Sequence, residues 1–193
     1  MKVWRCKAII ELTYLLRRPF MDQSTYDKLL KQPAVSALGA SFIRDEVLPA
    51  ILGGDQLTIL YWIGRQLARH NPLSEEQSIT TLFAQLNFGR LVQTHAGRKQ
   101  QRFELNGPAV ANRLAAFPDA SFDFEAGFLA QEIEIITGAA TEGTVDEIHK
   151  DHVTFIIQSD PKNIVGEVAA RVPSIRIQPS DSAEDSDESK PSN

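Results

Sequence analysis

Cysteine is almost missing from this chain: Cys6 is the single one among 193 residues. No disulfide can close within the chain, which fits a reducing cytosol and gives the expectation of a cytoplasmic protein. Long apolar runs are missing too. None reaches the length needed to cross a bilayer. The opening MKVWRCKAIIELTYLLRR makes a poor signal peptide, because Glu11 interrupts its short apolar run and no small-residue cleavage site follows. Membrane insertion is therefore not expected. Nor is there an excess of positive charge. The formal net charge is −5, and phosphate binding needs a basic surface, so nucleic acid is not the expected partner. There is no G-x-S-x-G elbow, no P-loop and no G-x-G-x-x-G, and no serine can be paired with a histidine and an acid from sequence. No catalytic residue or cofactor is nominated, and the expectation is a protein that is not an enzyme.

What the chain does contain is an ordinary globular middle between two charged ends. Hydrophobic residues make up 42% and charged residues 23%, values usual for a soluble domain. A single domain over residues 21–160 is long enough to bury roughly two-thirds of its unfolded surface without metal or disulfides. Residues 1–20 hold five basic residues and one acidic, residues 180–193 five acidic and one basic, and the middle keeps a net −5. The tail 179–193, PSDSAEDSDESKPSN, is too polar to order itself and is expected to be disordered. Residues 161–178 read as a segment that docks as a short helix or strand. Residues 1–20 look foreign to the rest, either as an extension upstream of a true start at Met21 or as an amphipathic N-terminal helix.

Along the middle, helices come first. One covers DQSTYDKLLKQ, and one covers 35–48 with a kink or restart at Pro49. A third runs from a cap at Asp55 to about Arg69, with Leu57, Leu60, Tyr61, Gly64, Leu67 and Ala68 on one face and Ile59, Trp62 and Ile63 on a second. Ser74 and Gln77 have capping-box spacing ahead of Ile79, Leu82, Phe83 and Leu86, the cleanest amphipathic stripe in the chain. Residues 90–95 and 101–106 then read as a hairpin, and Gly107-Pro108 opens another helix. The helix from about Phe124 to Thr137 has an apolar face too wide for an ordinary stripe, so it is expected to be buried on more than one side, and Gly138 suits its left-handed end. Residues 140–148, with Gly143 as a candidate bulge, and residues 153–158 make a second hairpin around the turn HKDH. Helices packed on an antiparallel sheet of two hairpins define an α+β fold.

Four groups of side chains are candidates for function, each with a plainer alternative. The aromatics Tyr61, Trp62, Phe83, Phe88, Phe103, Phe124 and Phe128 line an apolar pocket or simply fill the core. Arg65 and Arg69 hold an anion at a cleft or pair with acidic side chains at the surface, with Arg65 also placed to lie against the Trp62 indole. Glu125, Glu132 and Glu134 are acid–base candidates if buried, but three glutamates on one helix read first as a solvated edge. His149 and His152 are three apart, but no further ligand is near in sequence, so no metal site is expected.

LYWIGRQLARHNPL (60–73), RFELNGPAVANRL (102–114) and FDFEAGFLAQEIEIITGAATEG (122–143) resemble the YslB-like proteins of Gram-positive bacteria, a family of unknown function. The G-F-L-A portion is also similar to the four-vinyl-reductase and TRAPP Bet-type domains, a ligand-binding fold of nitric-oxide signalling and Golgi transport. The resemblance implies an antiparallel sheet backed by helices, a dimer, and in some members an apolar cavity. Many four-vinyl-reductase domains carry cysteines in the last hairpin. This chain has none there, and Cys6 lies outside the matched region, so no thiol chemistry is implied. The expected function is a non-enzymatic small-molecule-binding or protein-interaction module, most simply a homodimer that takes a hydrophobic small molecule. The alternatives are a dimeric scaffold with a solid core, or an enzyme with an unrecognised polar cleft.

Arg17-Arg18 can be encoded as a ribosome-binding sequence that stands just upstream of Met21. The intact mass of the natively expressed protein is expected to correspond to a start at Met21, and a species that begins at Met1 rules this out.

Overall fold

The computed structural model describes residues 23–31, 37–73, 75–165 and 177. The readings of residues 1–20 and 179–193, the start at Met21 and the cap at Ser74 lie outside the described residues. Of the docking segment, 161–165 are the end of a strand and the vicinity, and Ile177 packs against the core.

The helices are α1 (Gln23–Leu30), α2 (Ala37–Ser41), α3 (Leu48–Leu52), α4 (Gln56–His70), α5 (Glu76–Gln85), α6 (Pro108–Ala116) and α7 (Asp123–Thr137). A six-residue π-helical segment, Phe42–Val47, joins α2 to α3, and a short 3-10 turn, Gly53–Asp55, joins α3 to α4. Pro49 sits in the first turn of α3, where its missing amide leaves no bond unmade, so the restart occurs there. Asp55 precedes α4 but its side chain caps nothing, and the first residue outside α5 is Glu75.

The strands are β1 (Arg90–Ala96), β2 (Gln100–Asn106), β3 (Ala139–Ile148) and β4 (His152–Ile164). The two hairpins join through β2 and β4 into one antiparallel sheet of order β1-β2-β4-β3. The last hairpin is longer than its alternation suggests, because β4 runs on to Ile164, opposite Ala139. The bulges in this pair lie at Ala139/Ala140 and Val145/Ile148, not at Gly143. Gly143 instead lets α7 approach the sheet, since a Cβ there would meet the Ala126 carbonyl at 2.7 Å.

Phe103 and Leu105 of β2 and Val153, Phe155 and Ile157 of β4 are buried on one face, while their neighbours Arg102, Glu104, Thr154 and Ile156 lie on the other and are more exposed. Helix α7 lies on the buried face, and α4 packs on the far side of α7. Sandwiched in this way, α7 buries nine consecutive residues, Glu125 to Ile133. The α4–α7 crossing depends on two glycines. A Cβ on Gly127 would run into the Tyr61 carbonyl, and one on Gly64 would run into the backbone of Phe124 and Phe128. Gly138 ends α7 in the left-handed conformation, at φ 70°.

One consequence of this packing is absent from the sequence reading. The helical stretch Gly39–His70 is 32 residues long and, by length and composition alone, apolar enough to cross a membrane. Within the stretch Arg44 and Asp45 are tied to the domain, as described below, and Gly64 locks its second half to α7. Its outer side remains exposed at Phe42, Ile51, Leu57 and Trp62.

Gly127→Ala is expected to destabilise the protein by about 3 kcal/mol or more, because the new methyl group meets backbone that cannot yield without separating two helices. Gly54→Ala, with nothing within 4 Å of its Cβ, serves as the control and is expected to change stability by under about 1 kcal/mol. Urea denaturation of both variants checks the difference.

Candidate functional site

The seven aromatic candidates separate into three places. Phe83, Phe88, Phe124 and Phe128 form a closed ring of contacts, with centroid distances of 5.8 Å (83–88), 5.9 Å (88–124), 6.4 Å (124–128) and 6.0 Å (83–128). Such edge-on and offset pairs contribute beyond their area. Phe103 is buried in the sheet core. Tyr61 and Trp62 meet edge to face at 5.8 Å, and Trp62 is 52% exposed. Tyr61, Trp62, Phe83, Phe103 and Phe128 are not among the described residues that line the groove below.

Phe88 and Phe124 do line a space. A groove of about 530 Å³ opens beside them, walled by Ile43 and Leu48, by Leu60, and by Arg113 and Phe117. The π-helical segment positions its near wall through two ion pairs made by consecutive residues. Arg44 reaches inward to the fully buried Glu125 on α7. Asp45 takes a forked contact from Arg113 on α6, at 3.0 and 3.1 Å from Nε and 2.6 Å from Nη2. Arg113 Nη2 also donates to the Ser121 carbonyl at 2.9 Å. Both guanidinium groups lie over the buried Phe122 ring, at 5.9 Å for Arg44 and 4.5 Å for Arg113, and Arg44 also covers Phe88 at 5.0 Å. No periodicity signals this pairing, since Arg44, Asp45 and Arg113 read as surface charges on their own helices.

Arg65 and Arg69 lie away from the groove. Arg65 is 3% exposed, and its donors go to the domain itself: Gln131 Oε1 at 3.2 Å, the Thr141 carbonyl at 3.0 Å, Glu134 Oε2 at 2.8 Å and Glu142 Oε1 at 2.9 Å. Burial works against the guanidinium charge, but Glu142, the Tyr61 hydroxyl and Glu134 outweigh it and the pKa is raised. The Arg65 guanidinium lies 5.7 Å from the Trp62 ring centroid. Arg69 is exposed and donates to Gln131 at 2.8 Å. These residues pin α4 to α7 and β3.

The glutamates of α7 are not a solvated edge. Glu125 and Glu132 are fully buried, and Glu134 is mostly so. The wide apolar face of α7 needs both sides covered, and that covering buries the residues between as well. Glu132 Oε2 accepts from the Leu73 amide at 3.0 Å, while Oε1 makes no hydrogen bond. Burial holds its pKa well above the ordinary glutamate value of 4.5, only partly offset by that amide. Glu132 is not among the residues that line the groove, so it is not placed to act there.

The His149 and His152 rings stack at 4.2 Å, and each faces a neighbouring carboxylate, Glu147 at 3.0 Å and Asp151 at 2.8 Å. Among the described residues no three histidine, cysteine or acidic side chains come together as a metal site.

The fold and groove define a class: an α+β domain with one face of a four-stranded sheet covered by helices, and an apolar groove edged by arginines at one end of the central helix. The family follows from the comparison of sequences. Residues 37–158 match the model of DUF2507, a protein family of unknown function, and the chain belongs to that family. It is 33% identical over 138 residues to the uncharacterised protein YslB of Bacillus subtilis, covering 70% of this chain and 93% of that one. A vinyl-4-reductase family protein of Methanocaldococcus jannaschii, known from its crystal structure, superposes with a TM-score of 0.50 at 14% identity over 79% of this chain and 94% of that one, a likeness of fold.

Because the folded state holds the Glu132 proton more tightly than the unfolded chain does, this residue's contribution to stability falls as pH rises above about 4.5. Glu132→Gln keeps an acceptor for the Leu73 amide and has no charge to bury. It is expected to be more stable than the parent near pH 8, with the difference shrinking toward pH 5. Thermal melts across this range check the slope, and parallel curves for the two proteins contradict the assignment.

Proposed function

We propose that this protein is a non-enzymatic binding module whose groove takes a hydrophobic small molecule. The observation that carries this is the groove itself: about 530 Å³, with Ile43, Leu48, Leu60, Phe88, Phe117 and Phe124 among its walls. That volume falls within the range of small-molecule sites, which are largely apolar with a few placed polar groups. Among the described residues the lining contains no histidine, cysteine or carboxylate that could serve as a general base. This supports binding over catalysis. The aromatic quartet behind Phe88 and Phe124 gives the groove a rigid back wall, which lowers the cost of ordering on binding.

A second reading, a homodimer, is favoured by a separate observation. Phe42, Ile51, Leu57 and Trp62 are each more than half exposed along the Gly39–His70 stretch. Large apolar side chains grouped in this way mark interaction surfaces. Both readings suit a cytoplasmic protein and can hold together.

Ala116 lines the groove and is exposed, so Ala116→Trp is expected to fill the space without disturbing the core. The neutral probe N-phenyl-1-naphthylamine is expected to brighten with the parent protein and to bind the variant at least about tenfold more weakly, with the melting temperature shifted by no more than about 3 °C. Equal binding by the two proteins removes the groove as the site. Native mass spectrometry of protein purified from its own host reports subunit number and any retained molecule together.

A further inference from the structure

We infer that the ligand of this groove is an anionic amphiphile: an apolar body that lies against Leu48, Leu60, Phe117 and Phe124, and a carboxylate or similar acid head held by Arg44 with Arg113 beside it. The inference rests on the groove reading above and adds the charge of the occupant.

Three observations carry it. First, the charged residues of the lining are all of one sign. Arg44 and Arg113 line the groove, and among the described residues no acidic one does. Their counter-charges, Glu125 and Asp45, have side chains 0% and 4% exposed, so an entering molecule meets the guanidinium groups and not the carboxylates. Second, neither arginine is saturated. Arg44 uses only Nη2, on Glu125, and its other donors have no hydrogen-bond partner among the described residues, although the side chain is 19% exposed. Arg113, 9% exposed, has a buried Nη1 with no hydrogen-bond partner among the described residues, so Arg44 is the donor that an entering head meets first. A buried donor left unpaired is rare and costly, and a guanidinium has five donors to place. Third, the two cationic groups belong to one end of α7, since they lie 5.9 Å and 4.5 Å from the Phe122 ring centroid and both line the groove.

An acid head fits this arrangement better than a neutral one. Charge-assisted hydrogen bonds are roughly twice as strong as neutral ones, and the planar guanidinium fork matches two oxygens at once. The apolar walls exclude water and raise the value of each such bond. Glu125 does not oppose the head directly, because the Arg44 guanidinium stands between the groove and that carboxylate. A cationic or zwitterionic amphiphile would meet like charge, so the same geometry selects against it.

The test compares decanoate with decanol, two probes with the same tail and different heads, by isothermal titration calorimetry on the full chain at low salt. Decanoate is expected to bind at least about tenfold more tightly than decanol, with the advantage shrinking as salt is raised. Arg44→Gln alone would leave Glu125 buried and unpaired, so the informative variant is Arg44→Gln with Glu125→Gln, which removes both charges together. In this variant the preference for decanoate over decanol is expected to be lost, read as the ratio of the two affinities so that any change in the groove wall common to both probes cancels. Equal binding of the two probes by the parent overturns the acid-head inference and leaves the groove reading standing. Binding of neither overturns the groove reading. A preference that survives in the double variant overturns the role of Arg44. Probe affinity that weakens as the protein concentration is raised shows the groove to be filled by a second copy of the chain, which also overturns the inference.

Discussion

The architecture depends on two helix backbones that come closer than side chains normally allow. Gly64 on α4 and Gly127 on α7 each face backbone of the opposite helix, Gly64 the turn of Phe124 to Phe128 and Gly127 the Tyr61 carbonyl. Close approach of this kind excludes water and packs the helices at the density of a protein interior. It also sets the depth of everything else. With α4 held this near, α7 cannot be wetted on its outer side, and Gly143 brings β3 just as close on its inner side. A helix trapped between two such contacts buries its polar residues along with its apolar ones.

That burial explains the polar seam. Gln131, Glu134, Arg65, Thr141 and Glu142 form a connected set of hydrogen bonds running from α4 through α7 to β3. A buried charge of this kind contributes less to net stability than to register, since removing one partner leaves the other unpaired in a poor solvent. Glu132 meets the same difficulty with a carboxyl whose pKa burial raises well above the ordinary value, and Glu125 by recruiting Arg44 from the π-helical segment. The recruitment has a geometric by-product. To reach Glu125 and Arg113 at once, Arg44 and Asp45 draw the Phe42–Val47 segment over one end of α7, and the uncovered gap next to it is the groove.

The order and type of the main elements were legible in the chain because their signals are local. The i, i+3, i+4, i+7 stripe at Ile79, Leu82, Phe83 and Leu86, the Gly107-Pro108 start, the left-handed Gly138 and the alternation at Val153, Phe155 and Ile157 each depend on residues a few positions apart. The breadth of the apolar face on α7 correctly implied burial on two sides. What periodicity cannot give is the identity of the covering element. Trp62 and Phe88 both read as candidate pocket or core aromatics, yet Trp62 is half exposed and Phe88 lines the groove. Glycine is similarly silent. Gly143 reads as a bulge or as a close approach with equal ease, and the structure takes the second. The residues of the groove were the least legible part. Arg44, Asp45, Arg113 and Glu125 are 68 to 81 positions apart in their pairings, and each alone looks like a solvated charge.

The contrast between the two arginine sites separates structural from ligand-facing charge. Arg65 and Arg113 are both more than nine-tenths buried and both stand near aromatic rings. Arg65 places its Nε and both terminal nitrogens on protein acceptors, so an added anion would have to displace a carboxylate or a carbonyl. Arg113 leaves one terminal nitrogen without an acceptor, and Arg44 beside it leaves more. One buried guanidinium is thus fully satisfied by the domain, while two others at the edge of an apolar space have donors left over, which is the basis of the proposed acid-head site. The difference lies in position. Arg65 faces the seam that holds α4, α7 and β3 together, where every donor adds to register, while Arg44 and Arg113 face a volume that the packing of α7 leaves open.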